Sequence, residues 1–298
     1  MGSVTIVIAG GSGFLGQKLV KRLQDEGHRT AVLSRSARNG AIQWQPDGSP
    51  GSLRQHLEGV DAVVNLAGEG IADKRWTQAR REALRSSRIL PTRTLVRAIA
   101  ACAEPPRVFI SGSGIGYYGP RGDEPITEAK EPGSDFLARL CVEWEQEARI
   151  AESARTRVAI VRTGVALAAD GGALKKMLLP FKLGLGATIA SGDQYMPWIH
   201  ADDWTAMVSW MIQQERATGA FNATAPTPVT NRDFTRTLGR VLHRPAILHA
   251  PAFAMRIALG EMSSMLEHGQ RVLPAAAEHI GFRFAHRTLE PALRSLNL

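Results

Sequence analysis

Cysteine is almost missing from this chain: only Cys102 and Cys141 are present. They stand too far apart for the Cys-x-x-Cys spacing of a redox or zinc pair, and no metal site is expected. Both are read as reduced thiols, the usual state in a cytosolic chain. Long apolar runs are missing too. No stretch of about 18 consecutive apolar residues occurs, so no membrane span and no membrane partner is expected. No basic stretch precedes the first apolar run, which therefore reads as a strand and not as a secretory signal; a cytoplasmic location is the expectation. Basic runs are absent. Lys and Arg number 36 against 28 Asp and Glu, a formal net charge of +8, but they are scattered and no aromatic residues are interleaved with them. Nucleic acid is therefore not an expected partner, because a basic surface and an anionic cofactor account for the charge. Internal repeats and low-complexity segments are absent as well.

What is present is ordinary for an enzyme. The chain has 298 residues, 44% apolar and 21% charged, enough to bury about three quarters of the surface it exposes when unfolded. Val4 to Ala9 is a short apolar run rich in β-branched residues, closed by glycines and followed by helical spacing from Gly16 to Gln24. Further strands are expected at Thr30–Leu33, Ile42–Trp44, Asp61–Ala67, Arg107–Ser111 and Arg157–Thr163. Helices are expected from about Thr77 to Ala103, with Pro91 as a kink or break, and from Ser134 to Ser153. Apolar strands alternating with helices imply a parallel sheet covered on both faces. The fold class is thus α/β, a Rossmann-type doubly wound parallel sheet with a smaller mixed C-terminal substrate lobe. Residues 1–165 are read as the dinucleotide-binding domain, to which some later segments return. Residues 166–298 are read as the smaller lobe.

Gly10-Gly11-Ser12-Gly13-Phe14-Leu15-Gly16 places glycines at i, i+3 and i+6 between the first strand and the first helix. Such a turn is tight, lets backbone N–H groups approach a pyrophosphate, and packs the helix close to the strand. The free N–H groups and dipole of the helix start favour the anion. An NAD site usually has an acid about 20 residues later, on the ribose hydroxyls. Here the second strand ends Leu33-Ser34-Arg35-Ser36-Ala37-Arg38, without an acid. A hydroxyl and two arginines suit a 2′-phosphate, so NADP (NADPH) is the expected cofactor.

Asn65 to Glu69, Ala72 to Trp76, Ser111-Gly112-Ser113, Gly116-Tyr117-Tyr118-Gly119, Arg162 to Val165, Asp170 to Gly172, Leu179 to Gly186 and Pro197 to His200 occur in order along the chain. This set resembles an atypical branch of the extended short-chain dehydrogenases, the epimerase family proteins, some of which carry a cell-division-inhibitor label. The resemblance implies that Leu66-Ala67-Gly68 lines the adenosine half of the cofactor. It also implies that Arg35-Ser36 is the 2′-phosphate corner and that Arg88 contacts the cofactor. Standard members of the wider family use a serine with Tyr-x-x-x-Lys for acid–base chemistry beside hydride transfer. Ser113 matches that serine. The Tyr-x-x-x-Lys is missing: Asp135 stands at the tyrosine position and Arg139 at the lysine position. Asp135 reads as a helix cap, and Tyr117 and Tyr118 are the remaining candidates for proton transfer. His200 is expected to orient its loop, and Asp202 and Asp203 to open a helix.

Two functions follow as expectations. One is an NADP-binding oxidoreductase or epimerase acting on a small polar molecule, with nucleotide sugars among the candidates. The other is a non-catalytic or weakly catalytic NADP-binding regulator, for example of cell division. The sequence leaves the substrate and the oligomeric state open.

Overall fold

The computed structural model describes residues 2–36 and 40–298; Arg38 lies outside them. The strands Thr5–Ala9 (β1), Arg29–Ser34 (β2), Ile42–Gln43 (β3), Ala62–Asn65 (β4), Val108–Gly114 (β5), Arg157–Thr163 (β6) and Gly219–Ala223 (β7) form one sheet. Its order is β7-β6-β5-β4-β1-β2-β3, and every neighbouring pair is parallel. The order reverses at β1, where Ile6 lies opposite both Thr30 of β2 and Ala62 of β4. A crevice opens beyond the C-terminal ends of strands at such a reversal.

Alternate strand residues face opposite layers, as the period of two demands. Ile6, Ile8, Val64, Ile110 and Val161 pack with Leu19 and Leu23 of helix α1 (Phe14–Asp25). Val7, Val63, Phe109 and Ile160 pack with Leu95 and Ile99 of α2 (Gln78–Ala100). The same layer is completed by α3 (Phe136–Arg149), through Ala148.

Some boundaries correct the expectations. Helix α2 runs through Pro91 without a break. Proline removes a backbone donor, but Thr92 Oγ1 donates to the Arg88 carbonyl at 2.7 Å close by, and the helix is held on both sides by packing. The fifth strand runs on to Gly114, so Ser113 is inside β5 and not after it. Residues beyond 165 supply the seventh strand and the helix Ala201–Gln213, which covers the β1 side of the sheet with Trp204, Met207 and Met211.

The smaller lobe has its own apolar cluster. Leu174, Leu178 and Phe181 come from α4 (Gly172–Lys182), and the helix Ala201–Gln213 becomes α5 in chain order. Phe234 and Leu238 of α6 (Asn231–Val241) and Leu289 and Leu293 near the C-terminus complete it. The helix Ala252–Leu259 (α7) has no buried residue.

His200 caps α5: its Nδ1 accepts from the Asp202 backbone N–H at 3.1 Å. Its ring stacks on His286 with centroids 3.8 Å apart. Burial lowers the His200 pKa, and His286 lowers it further, against opposing fields from Asp202 and Asp203. A pKa below the unfolded value means that the folded state disfavours the proton. This contribution to stability is therefore present above the unfolded value of about 6.5 and is lost as pH falls below it. In urea unfolding at pH about 7.5 and about 5, the native protein should lose more stability than His200→Asn, which can cap without titrating. Equal losses in the two proteins would show that another group carries the pH dependence.

Candidate functional site

The glycine turn starts at Gly10, whose φ of +78° favours glycine. A Cβ there would lie 2.6 Å from the Leu66 carbonyl. The turn and the segment after β4 therefore touch. Gly16 sits against the Gly10 carbonyl oxygen, leaving no room for a side chain. Gly13 is the N-cap residue of α1, and no side chain caps that helix start. A Cβ at Gly13 would meet protein only at the Gly10 oxygen, 3.2 Å away. The first turn of α1 thus offers backbone donors with no protein group to take them. Ser12 holds this turn through its carbonyl, which accepts from Gln17 Nε2 at 2.9 Å. Leu15 packs at the edge of the sheet core.

Phe14, the first residue of α1, has its ring wedged against Gly171 and Gly172, where α4 begins. Lys18 and Asp170 form an ion pair at 2.8 Å across the same seam.

At the end of β2, the Ser36 N–H donates to Ser34 Oγ at 3.2 Å. Arg35 is exposed, and its guanidinium has no carboxylate partner among the described residues. Asn65 closes β4 by donating to Thr92 Oγ1 at 2.8 Å and accepting from the Ala67 N–H at 3.1 Å. Arg88 packs beside Gly68. It is buried, donates to the Leu84 and Glu69 carbonyls at 2.9 and 2.8 Å, and lies over the Trp144 ring. Burial lowers its pKa. No carboxylate forms an ion pair with it among the described residues; Glu69 pairs instead with Arg80.

The catalytic candidates separate. Ser113 Oγ donates its only proton to Glu145 Oε1 at 2.7 Å, and therefore cannot at the same time polarise a substrate carbonyl. Glu145 is also held by two hydrogen bonds from Arg162, both 2.8 Å. Arg162 Nη1 donates to the Tyr118 hydroxyl at 2.9 Å, and that hydroxyl donates to Asn222 Oδ1 at 2.6 Å. Tyr118 is fully buried, and burial pushes its pKa up to about 12. These contacts correct the expectation for Tyr118, which is a structural tyrosine in this arrangement. Burial opposes the Arg162 charge, but the bonded Glu145 carboxylate outweighs it and raises the guanidinium pKa.

Tyr117 differs. It is half-buried, its ring lies on the Arg162 guanidinium at 3.4 Å, and its hydroxyl has no hydrogen-bond partner among the described residues. Asp135 caps α3, accepting from the Ala138 N–H at 2.8 Å. Arg139 is exposed and folds back to donate to the Ser134 carbonyl.

Sequence reading missed Glu145 and the role of Arg162. The signal was available. Glu145 falls on the buried stripe Ala138-Cys141-Glu145-Ala148 of α3, and Arg162 lies in an apolar strand. Opposite charges on two faces expected to be buried point to a paired ion.

A model of the NAD dependent epimerase/dehydratase family matches residues 6–223, and one described as a domain of unknown function (DUF1731) matches 250–296. The epimerase family protein Mb2239 of Mycobacterium bovis is 40% identical over 297 residues, covering 98% of this chain and 97% of that protein. The solved human epimerase family protein SDR39U1, with NADPH, superposes with a TM-score of 0.92 at 33% identity, covering 98% of each chain. A structure described as the nucleoside-diphosphate sugar epimerase of Corynebacterium glutamicum superposes with a TM-score of 0.81 at 33% identity, over 99% of this chain and 58% of that one. With this turn, this sheet and these relatives, the chain is a member of the NAD dependent epimerase/dehydratase family.

Proposed function

We propose that the protein binds NADP(H) and transfers hydride to or from a small polar substrate, with nucleotide sugars the first class to test. The observation that carries the cofactor preference is the end of β2: no acid, and an exposed Arg35 without a carboxylate partner among the described residues. The uncapped start of α1 would hold the pyrophosphate, Ser34-Arg35-Ser36 the 2′-phosphate, and Leu66-Ala67-Gly68 the adenosine. Arg88 would add a buried positive charge beside Gly68. The human relative solved with NADPH supports the same preference. The Corynebacterium relative supports the substrate class. When bound, the nicotinamide supplies the hydride chemistry.

Tyr117 is the group we assign to proton transfer. Stacking on Arg162 fixes its ring, and its hydroxyl is not engaged by the described protein. Ser113 serves the Glu145 network instead. A second reading, a weakly catalytic NADP-binding regulator, draws on that engagement of Ser113 and on the missing Tyr-x-x-x-Lys.

Arg35→Ala should weaken NADPH by about 1.5–3 kcal/mol, the range for a lost charge-assisted hydrogen bond. NADH should change little. Equal losses for both cofactors in a binding titration would end the 2′-phosphate assignment. For proton transfer, hydride exchange from labelled NADPH should be screened against nucleotide sugars and simple carbonyl compounds. With an active substrate, Tyr117→Phe should lose roughly 10²–10⁴-fold in turnover at unchanged NADPH affinity. Full turnover in that variant would remove Tyr117 from the chemistry. NADPH binding without exchange on any substrate would favour the regulator.

A further inference from the structure

Ten large apolar side chains are exposed among the described residues, and nine of them lie between positions 179 and 266. They are not scattered. Leu179 and Leu183 are one turn apart at the end of α4 and just beyond it. Leu185 and Gly186 follow, and Gly186 packs on Ala246, with the Leu248 N–H donating to the Gly186 carbonyl at 3.3 Å. A short parallel ladder then joins Ala187–Ile189 to Leu248–Ala250. Ile247, 86% exposed, stands at the head of this ladder. Helix α7 leaves its end and presents Phe253 and Ile257, again one turn apart. An apolar ridge thus runs across two neighbouring segments of the smaller lobe.

Every charged side chain carried by these two segments is positive. Residues 172–186 and 239–259 contain Lys175, Lys176, Lys182, Arg240, Arg244 and Arg256, and no Asp or Glu. Lys176, Arg240 and Arg256 are paired with Asp73, Glu290 and Glu267. Lys175, Lys182 and Arg244 are exposed and have no carboxylate partner among the described residues. Lys175, Leu179 and Lys182 share one face of α4, so cations flank the apolar residues directly.

We propose that this face docks on an anionic lipid bilayer, lying on it without crossing it. Apolar side chains set among Lys and Arg are what an interfacial surface needs: the chains enter the acyl boundary and the cations meet the headgroups. A second copy of the chain fits poorly, because a twofold contact would set this cationic face against itself. No helix of the described residues is long and apolar enough to cross a membrane, which agrees with surface docking. The expectation of no membrane partner rested on missing spans and does not bear on this mode.

The test is co-sedimentation of the full chain with phosphatidylcholine vesicles and with vesicles carrying roughly 30% phosphatidylglycerol. Binding should be at least about ten-fold stronger to the anionic vesicles and should weaken with salt. Phe253→Ser with Ile257→Ser, and separately Lys175→Glu with Lys182→Glu, should each abolish it. All these positions are exposed, so melting temperatures should stay close to native, which separates lost docking from lost folding. No binding, equal binding to both vesicles, or full binding by the folded variants would overturn the proposal. So would a concentration-dependent dimer in solution that the apolar variants dissolve, since the ridge would then belong to a second copy.

Discussion

A carboxylate and a guanidinium hold the middle of this molecule together. Glu145 comes from α3 and Arg162 from β6, and both are nearly sealed from solvent. Charges taken out of water are costly unless every donor and acceptor finds a partner. Here they do. One Glu145 oxygen accepts from Arg162 and from Ser113 of β5, and the other accepts from Arg162 again. The remaining Arg162 nitrogen reaches the Tyr118 hydroxyl, which passes its own proton to Asn222 of β7. Four segments distant in sequence thus meet through one ion pair. Its charge-assisted bonds set the position of the Tyr117 ring, which lies on the guanidinium face.

Much of the first half of the fold was legible. The β1–turn–α1 unit announces itself through β-branched residues, glycine spacing and helical period. Asp135 caps its helix, and Asp202 and Asp203 stand in the first turn of theirs, as their positions suggested. No break occurs at Pro91, because propensity is local, whereas α2 is held by burial along its length. Ser113 was placed after its strand because Ser-Gly-Ser-Gly reads as a loop. In the structure, parallel pairing with β6 continues to Gly114. β7 was unreadable for a similar reason: Gly219-Ala220-Phe221-Asn222-Ala223 has neither alternation nor β-branched residues, and only its neighbour makes it a strand.

The glycine turn was also readable, because the close packing at Gly10 and Gly16 leaves no room for a side chain. The surroundings of the two tyrosines were not. Which tyrosine hydroxyl is free depends on contacts made by Arg162 and Asn222, each more than 40 residues away from Tyr118. No local pattern encodes that. Adjacent tyrosines of identical chemistry acquire different surroundings, because the Tyr118 hydroxyl joins the ion-pair network and the Tyr117 ring lies on top of it.

Phe14 links this half to the rest of the protein. Its ring fills the space that side chains at Gly171 and Gly172 would need. The first turn of α1 and the first turn of α4 therefore share a wall. The Lys18–Asp170 ion pair lies along the same wall. A side chain at position 171 therefore fits only if the Phe14 ring gives up its place.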